Sequence, residues 1–329
     1  MKFVLPTAIS KFFPEKYTLE QKQDLYLEHY EEIMTKYISD GNPSNDTIIN
    51  YFGRIRSFLS WCHDNYVYPL SCTEEHIILY RDNLLQKNYK VSTVSAHLIA
   101  IKKFFYVAAK FHIVFDNPAT DVKAPRDPDA GLANIPYLTA GKLEYLFQVV
   151  PSTTEKELRD KVIIAFMAIE GLRTVEIHRM NVEDINREQT TILIRGKGKN
   201  SMLYPRQDTF TLLLKYLQLK ESTYINEGNF NFTPVFTSTS NNKTGNRISR
   251  QAIRDAINQW LNQANYKEKG KSGHMLRHTC ATLLYKETRD IRAVQETLRH
   301  SSINISSRYA HLTEREEQRY TNSIPVEIE

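Results

Sequence analysis

Residues 117–137 read NPATDVKAPRDPDAGLANIPY, and this stretch divides the chain. It carries four prolines, one glycine and many polar side chains. Proline fixes its own φ and has no N–H to give to a helix or sheet, so such a composition suits an extended connection and not a packed element. The reading places an N-terminal domain over 1–120, a linker over 121–137 and a C-terminal domain over 138–329.

Upstream of the linker every periodic stretch is helical. Residues 17–39 carry Leu25, Tyr26, Ile33, Met34 and Tyr37 on one stripe and end at Gly41-Asn42-Pro43. Residues 46–66 repeat the pattern with Ile48, Ile49, Phe52, Ile55, Phe58, Leu59 and Cys62. Residues 73–86 open on a threonine followed by an acidic turn, and 92–111 align Val94, Leu98, Ile101, Phe104, Phe105 and Ala108. Four such helices predict a small bundle. Arg54, Arg56, Lys102 and Lys103 lie beside the apolar stripes; they are candidate phosphate contacts, although charge alone favours a solvated face.

Downstream the pattern is mixed. Helices are predicted over 138–150, 152–169, 208–220, 249–264, 272–286, 291–298 and 303–310. Residues 191–195 and 202–204 are β-type and flank Gly196-Lys197-Gly198-Lys199-Asn200, a basic turn, which predicts a hairpin. A further short strand is expected at 234–236. The fold class is therefore mainly α with a small β-sheet: an N-terminal four-helix domain and a mixed, mostly helical C-terminal one.

Length and composition narrow the function classes. The chain has 329 residues, enough for two cores, with 41% hydrophobic and 25% charged residues. Its longest uninterrupted apolar runs, such as 162–169, are too short to span a bilayer, and Pro6 and Pro14 break the apolar N-terminus, so neither a membrane nor a secretory signal is expected. Three cysteines without metal-type pairing predict a reduced, cytoplasmic setting. A net charge of +5 permits nucleic acid without requiring it.

Four stretches of the C-terminal domain carry chemistry. In Gly171-Leu172-Arg173-Thr174-Val175-Glu176-Ile177 a glycine ends an apolar helix and fixes Arg173, with Glu176 near enough to orient its guanidinium; alone, this is equally a structural ion pair. Lys197, on the hairpin tip, is able to swing over a ligand and protonate a departing oxygen. His274-Met275-Leu276-Arg277-His278 opens a helix, so His274, Arg277 and His278 share one face beside an N-terminus that favours anions. A zinc site is the rival, but Met275 stands where a zinc protease has glutamate and Arg277 repels a cation. Last, Leu298-Arg299-His300-Ser301 is followed by Ser307-Arg308-Tyr309-Ala310-His311.

Taken together and in this order, these motifs resemble the tyrosine recombinase, or phage integrase, family over roughly residues 138–320. The resemblance implies a catalytic set of Arg173, Lys197, His274, Arg277, His300 and Tyr309. Glu176 and His278 would orient it, and Arg54, Arg56, Lys102, Lys103 and Lys199 would bind DNA. It implies attack by Tyr309 on phosphorus, giving a 3′-phosphotyrosine, with Arg173 and Arg277 holding the non-bridging oxygens, His274 taking the tyrosine proton and Lys197 protonating the 5′ oxygen. Arginines then supply the charge a metal would, so neither metal nor other cofactor is implied. The implied partner is double-stranded DNA bearing recombination sites, gripped between the two domains by a homotetramer in which the segment after Tyr309 docks on a neighbour. The short segment after Tyr309 resembles the compact Xer type. Integration or excision of a mobile element and resolution of DNA multimers both fit; a type IB topoisomerase or an inactive DNA-binding regulator are alternatives. One departure stands out: many relatives have glycine where this chain has Arg299, and arginine there changes the turn before His300 or adds a phosphate contact.

Overall fold

The computed structural model describes residues 17–126, 135–196, 200–226, 233–239, 245–268, 273–300, 302–303, 306–307 and 309–310. Lys197 and Lys199 lie outside them, as does most of the segment after Tyr309. The chain forms two compact units, Met1–Ala133 and Asn134–Glu329.

Among the described residues the first unit is a bundle of four helices: α1 (Leu19–Thr35), α2 (Asn45–Asp64), α3 (Glu74–Gln86) and α4 (Val91–Lys110). Thr18 and Gln21 cap α1 reciprocally, and Ser44 accepts from Thr47 N–H at the start of α2. The other three helices pack on α4. By length and composition α4 is apolar enough to cross a membrane, an option that uninterrupted runs alone had hidden, yet half of it is buried inside the bundle, as befits a central helix. Phe58, Phe104 and Phe105 are fully buried there, each contributing about 1.5–3 kcal/mol of burial. Tyr26 is buried too, and its hydroxyl donates to Phe104 O at 2.7 Å.

The start of the predicted linker is a packed element, contrary to its composition. Ala119 and Val122 enter the core of the first unit, and Asn117 donates to Lys102 O and accepts from Ala119 N–H. An asparagine turn supplies the backbone partners that the prolines cannot.

The second unit runs α5 (Ala140–Val149), α6 (Glu155–Ala168), α7 (Thr174–Arg179), β1 (Ile185–Asn186), β2 (Thr191–Arg195), β3 (Asn200–Leu203), α8 (Gln207–Asn226), α9 (Arg250–Gln263), α10 (His274–Thr288) and α11 (Ile291–Leu298). The sheet is antiparallel in the order β1-β2-β3, with Ile192 opposite Leu203 and Arg195 opposite Asn200 at the base of the hairpin. The strand expected at 234–236 reduces to isolated bridges, Asn181 with Pro234 and Thr237 with Arg247. The short helix α7 and the two-residue β1 escaped the periodicity argument because neither is long enough to show a period.

Helix α6 is the hub. It packs on α8, α9 and α10, and every residue from 162 to 168 is buried. It also buries an ion pair: Arg159 grips Asp160 Oδ1 through Nε (3.0 Å) and Nη2 (2.7 Å), and Asp160 Oδ2 accepts from Trp260 Nε1 at 3.0 Å. The end of α6, the helix α10 that packs on it and α11, which packs on α10, position the site.

Candidate active site

Gly171 ends α6 with φ +65, and the following Leu172 N–H returns to Phe166 O at 2.8 Å. A Cβ at this glycine would lie 2.6 Å from Leu298 Cδ2 and 3.2 Å from Cys280 Sγ, so α10 and α11 close directly onto the turn. Both the backbone conformation and the close approach demand glycine. Arg173 then serves as the N-cap residue of α7. Glu176 reaches back to it twice, Oε2 accepting from Arg173 N–H and Oε1 from Nη1, each at 2.8 Å.

Arg277 approaches the same turn from α10. Only 2% exposed, it donates through Nη1 to Gly171 O and through Nη2 to Leu298 O (2.5 Å). The fork expected to face a phosphate is thus spent on two backbone carbonyls in this state. Arg299 is the third arginine. Its Nη2 donates to Gly171 O (3.2 Å) and to Glu176 Oε2 (3.3 Å).

Three guanidinium groups therefore gather at one turn, and two of them, Arg173 and Arg299, bond the same carboxylate. Burial pushes the Arg277 guanidinium down to about 9, and the charge of Arg173 adds to it; Glu176 pulls the other way without prevailing. Burial also raises the Glu176 carboxyl, but Arg299 and the N–H and guanidinium of Arg173 outweigh it and hold that group below the ordinary carboxylate range. A buried cluster with surplus positive charge and an adjacent helix start, α10, whose first turn holds no acid, is suited to an anion.

The candidate nucleophile lies beside this cluster. Tyr309 is 1% exposed and packs with Cys280, Ala281, Tyr285, Val294 and Leu298. Its hydroxyl is 2.8 Å from His278 Nδ1. The sequence expectation assigned the tyrosine proton to His274; in this structure the hydroxyl meets His278, one helical turn further along α10. The His274 ring stands edge-on to that of His278, with centroids 4.8 Å apart. His300 follows the left-handed turn at Arg299, and its Nδ1 bonds Ser306 Oγ at 2.8 Å.

Lys197 falls outside the described residues, but the base of its hairpin is held. Arg195 is clamped by Asp184 (2.6 Å) and Glu183 (3.0 Å), and Arg179 Nη1 donates to Gly196 O at 3.1 Å. Among the described residues no three His, Cys, Asp or Glu side chains gather as a metal site.

The candidate DNA contacts of the first unit are mostly engaged within it. Arg56 pairs with Glu31 at 2.6 Å, Lys102 donates to Thr120 O at 2.8 Å, and Lys103 lies 4.8 Å from the centroid of the Tyr106 ring. Arg54 is half-buried near His97, where burial and then the arginine charge push the imidazole pKa down.

Arg179 and the link from Arg299 to Glu176 were not read from sequence as parts of the site. The signal for the second was present, a charged residue at a turn position that favours glycine.

Comparison with known proteins identifies the family. The sequence pattern of the phage integrase family matches residues 136–316, more than half of the chain, and that of the phage integrase N-terminal SAM-like domain matches residues 31–110. Tyrosine recombinase XerC of Roseiflexus castenholzii is 27% identical over 293 residues, covering 87% of this chain and 89% of the relative. XerC of Listeria welshimeri is 27% identical over 281 residues, covering 84% and 90%. The XerH site-specific recombinase, in a post-cleavage complex with palindromic difH substrate, matches with a TM-score of 0.65 over 93% of this chain and 84% of that one, at 20% identity. A lambda integrase tetramer bound to a Holliday junction matches with a TM-score of 0.64 over 93% and 81%, at 15% identity. At these identities the structural likeness is one of fold. The chain belongs to the phage integrase family of site-specific tyrosine recombinases.

Proposed function

We propose that Tyr309 attacks a phosphodiester of duplex DNA at a specific site and forms a 3′-phosphotyrosine, which the 5′-hydroxyl of a partner strand later resolves. The observation that carries this reading is the Tyr309 hydroxyl, 2.8 Å from a histidine on the same helix as Arg277. The Oη–P bond forms as the P–O5′ bond breaks. The tyrosine proton passes to His278 Nδ1, in the tautomer with its own proton on Nε2. Lys197 gives a proton to the leaving 5′ oxygen, so that atoms and charge balance.

Arg173 and Arg277 stabilise the negative charge that builds on the non-bridging oxygens, and His274 and His300 add hydrogen bonds. Tyr309 is sheltered in the free protein, so its exposure to the phosphate is coupled to DNA engagement. The first unit binds the duplex through its basic side chains, with Arg54 and Lys103 less committed than Arg56 and Lys102. Strand exchange between two sites needs four active sites, which supports a homotetramer on DNA, and such chemistry belongs in the cytoplasm beside the genome.

The test uses a library of nicked duplexes with randomised sequence. Incubation, denaturation and recovery of protein-bound strands should yield an SDS-resistant adduct enriched in a defined sequence. Tyr309→Phe should abolish it while the fold persists. An adduct that survives in the phenylalanine variant overturns the assignment.

A further inference from the structure

Arg299 is an expensive residue in its position. It caps α11 in the left-handed conformation, φ +55 and ψ +45, which side chains with a Cβ rarely adopt. Its Nε is buried with no acceptor among the described residues, and its side chain is only 13% exposed. Glycine would adopt the turn without strain and leave no buried donor. A residue that departs from local rules twice at the edge of an active site calls for a compensating role.

The role lies in the carboxylate it touches. Glu176 is buried; among the described residues its Oε1 takes the Arg173 guanidinium, while its Oε2 takes Arg173 N–H and Arg299 Nη2. A scissile phosphate that takes the Nη1 donor of Arg173 draws it away from Oε1. With Arg173 as sole counter-charge, that step would strand a buried carboxylate, which is costly. Arg299 is anchored independently of Arg173, its Nη2 holding Gly171 O as well as Oε2.

We infer that Arg299 is a positioning residue: it is the resident counter-charge of Glu176 and so frees Arg173 for the DNA phosphate. The inference rests on the reading of Arg173 as a phosphate ligand. Arg299 acts through Glu176 and not on the substrate, and this chain thereby has a third arginine in its site. The charged groups that reach Glu176 are Arg173 beside it, Arg299 after α11 and Arg277 from α10. Further along α7, His178 bonds Ile248 O and Arg179 bonds Gly196 O; on α9, which packs against α7, Arg254 and Asp255 bond the exposed Gln251.

Without Arg299, release of Arg173 would be matched by proton uptake at Glu176, which becomes harder as pH rises. Two measurements on the full chain test this. The first is the carboxyl titration of Glu176 by carbon NMR, assigned with Glu176→Gln, in wild type, Arg299→Gly and Arg299→Lys. It needs no DNA. Arg299→Gly suits the left-handed turn and should fold; it should move the midpoint up, and Arg299→Lys should largely prevent that shift.

The second is single-turnover cleavage of the nicked duplex recovered by covalent trapping, from about pH 5.5 to about pH 8. Arg299→Gly should be about tenfold slower at the upper end. The ratio of wild-type to variant rate should grow with pH and become flat when Glu176→Gln is added. An unmoved Glu176 midpoint in Arg299→Gly overturns the inference, and so does a rate ratio independent of pH. If wild type forms no adduct at all, the Tyr309 reading fails instead, and the titration still decides whether Arg299 governs the charge of Glu176.

Discussion

Two buried arginines in the second unit make opposite use of the same side chain. Arg159 is 4% exposed and Arg277 is 2% exposed. Arg159 forks onto Asp160, and its Nη1 reaches Thr237 O at 2.8 Å and Thr239 Oγ1 at 3.3 Å. Asp160 in turn takes Trp260, with Lys156 at 3.6 Å. Charge and donors are matched, and the network ties α6 to α9. Among the described residues Arg277 bonds carbonyls and no carboxylate, and burial together with the Arg173 charge weakens its hold on its proton. Burial alone therefore does not separate a structural arginine from a candidate catalytic one; the lack of a paired anion does.

The largest expected effects break this contrast most directly. Arg277→Gln should slow covalent adduct formation by about 10²–10³-fold, the loss typical of one donor to a developing oxyanion. Its midpoint in urea should stay close to wild type, because an under-compensated buried charge is removed and the amide still reaches Gly171 O. Arg159→Gln should do the reverse. It strands Asp160 and should lower stability by about 3 kcal/mol, while the folded fraction keeps its cleavage rate. Equal destabilisation by the two substitutions, seen in paired urea titrations and adduct assays, would dissolve the distinction.

A smaller effect sharpens how α11 is set against Arg277. Gly171→Ala should cost about 1–2 kcal/mol for the left-handed backbone, plus the clash with Leu298. Adding Leu298→Ala should relieve the clash and recover part of the loss, although it opens a cavity of its own. Urea midpoints of the two single variants and the double variant measure the coupling. Strict additivity would mean that the close approach at Gly171 does not constrain the turn.

The contrast also explains which features were legible in sequence. The helices of the first unit were readable because apolar residues such as Phe104 and Phe105 recur at helical spacing over long runs. The Gly171 turn was readable because a single residue type suits it. The partner of Tyr309 was not, since His274 and His278 share a face and only the tertiary path of the following segment selects between them. Nor was the packed start of the linker, where Asn117 replaces the lost backbone bonds of a proline-rich stretch. Arg159 and Asp160 carried no signal in the sequence, and Asp160 meets its partner Trp260 a hundred residues away.

The smallest effect carries the comparison to the first unit, where cations sit at the surface. Arg56 pairs with Glu31 at 2.6 Å, with both side chains about half exposed. Water screens such a pair, so Arg56→Ala should change stability by less than about 1 kcal/mol. If Arg56 exchanges Glu31 for a DNA phosphate, its removal should lower the slope of log affinity against log salt by about one unit and weaken all duplexes alike. Glu31→Ala frees Arg56 and should strengthen binding at low salt. Fluorescence anisotropy over a salt series reads both. An unchanged slope in Arg56→Ala assigns the arginine to α1 as a structural partner. The basic face of the first unit would then have to be sought at Arg54 and Lys103, which have not given their charge to a carboxylate among the described residues.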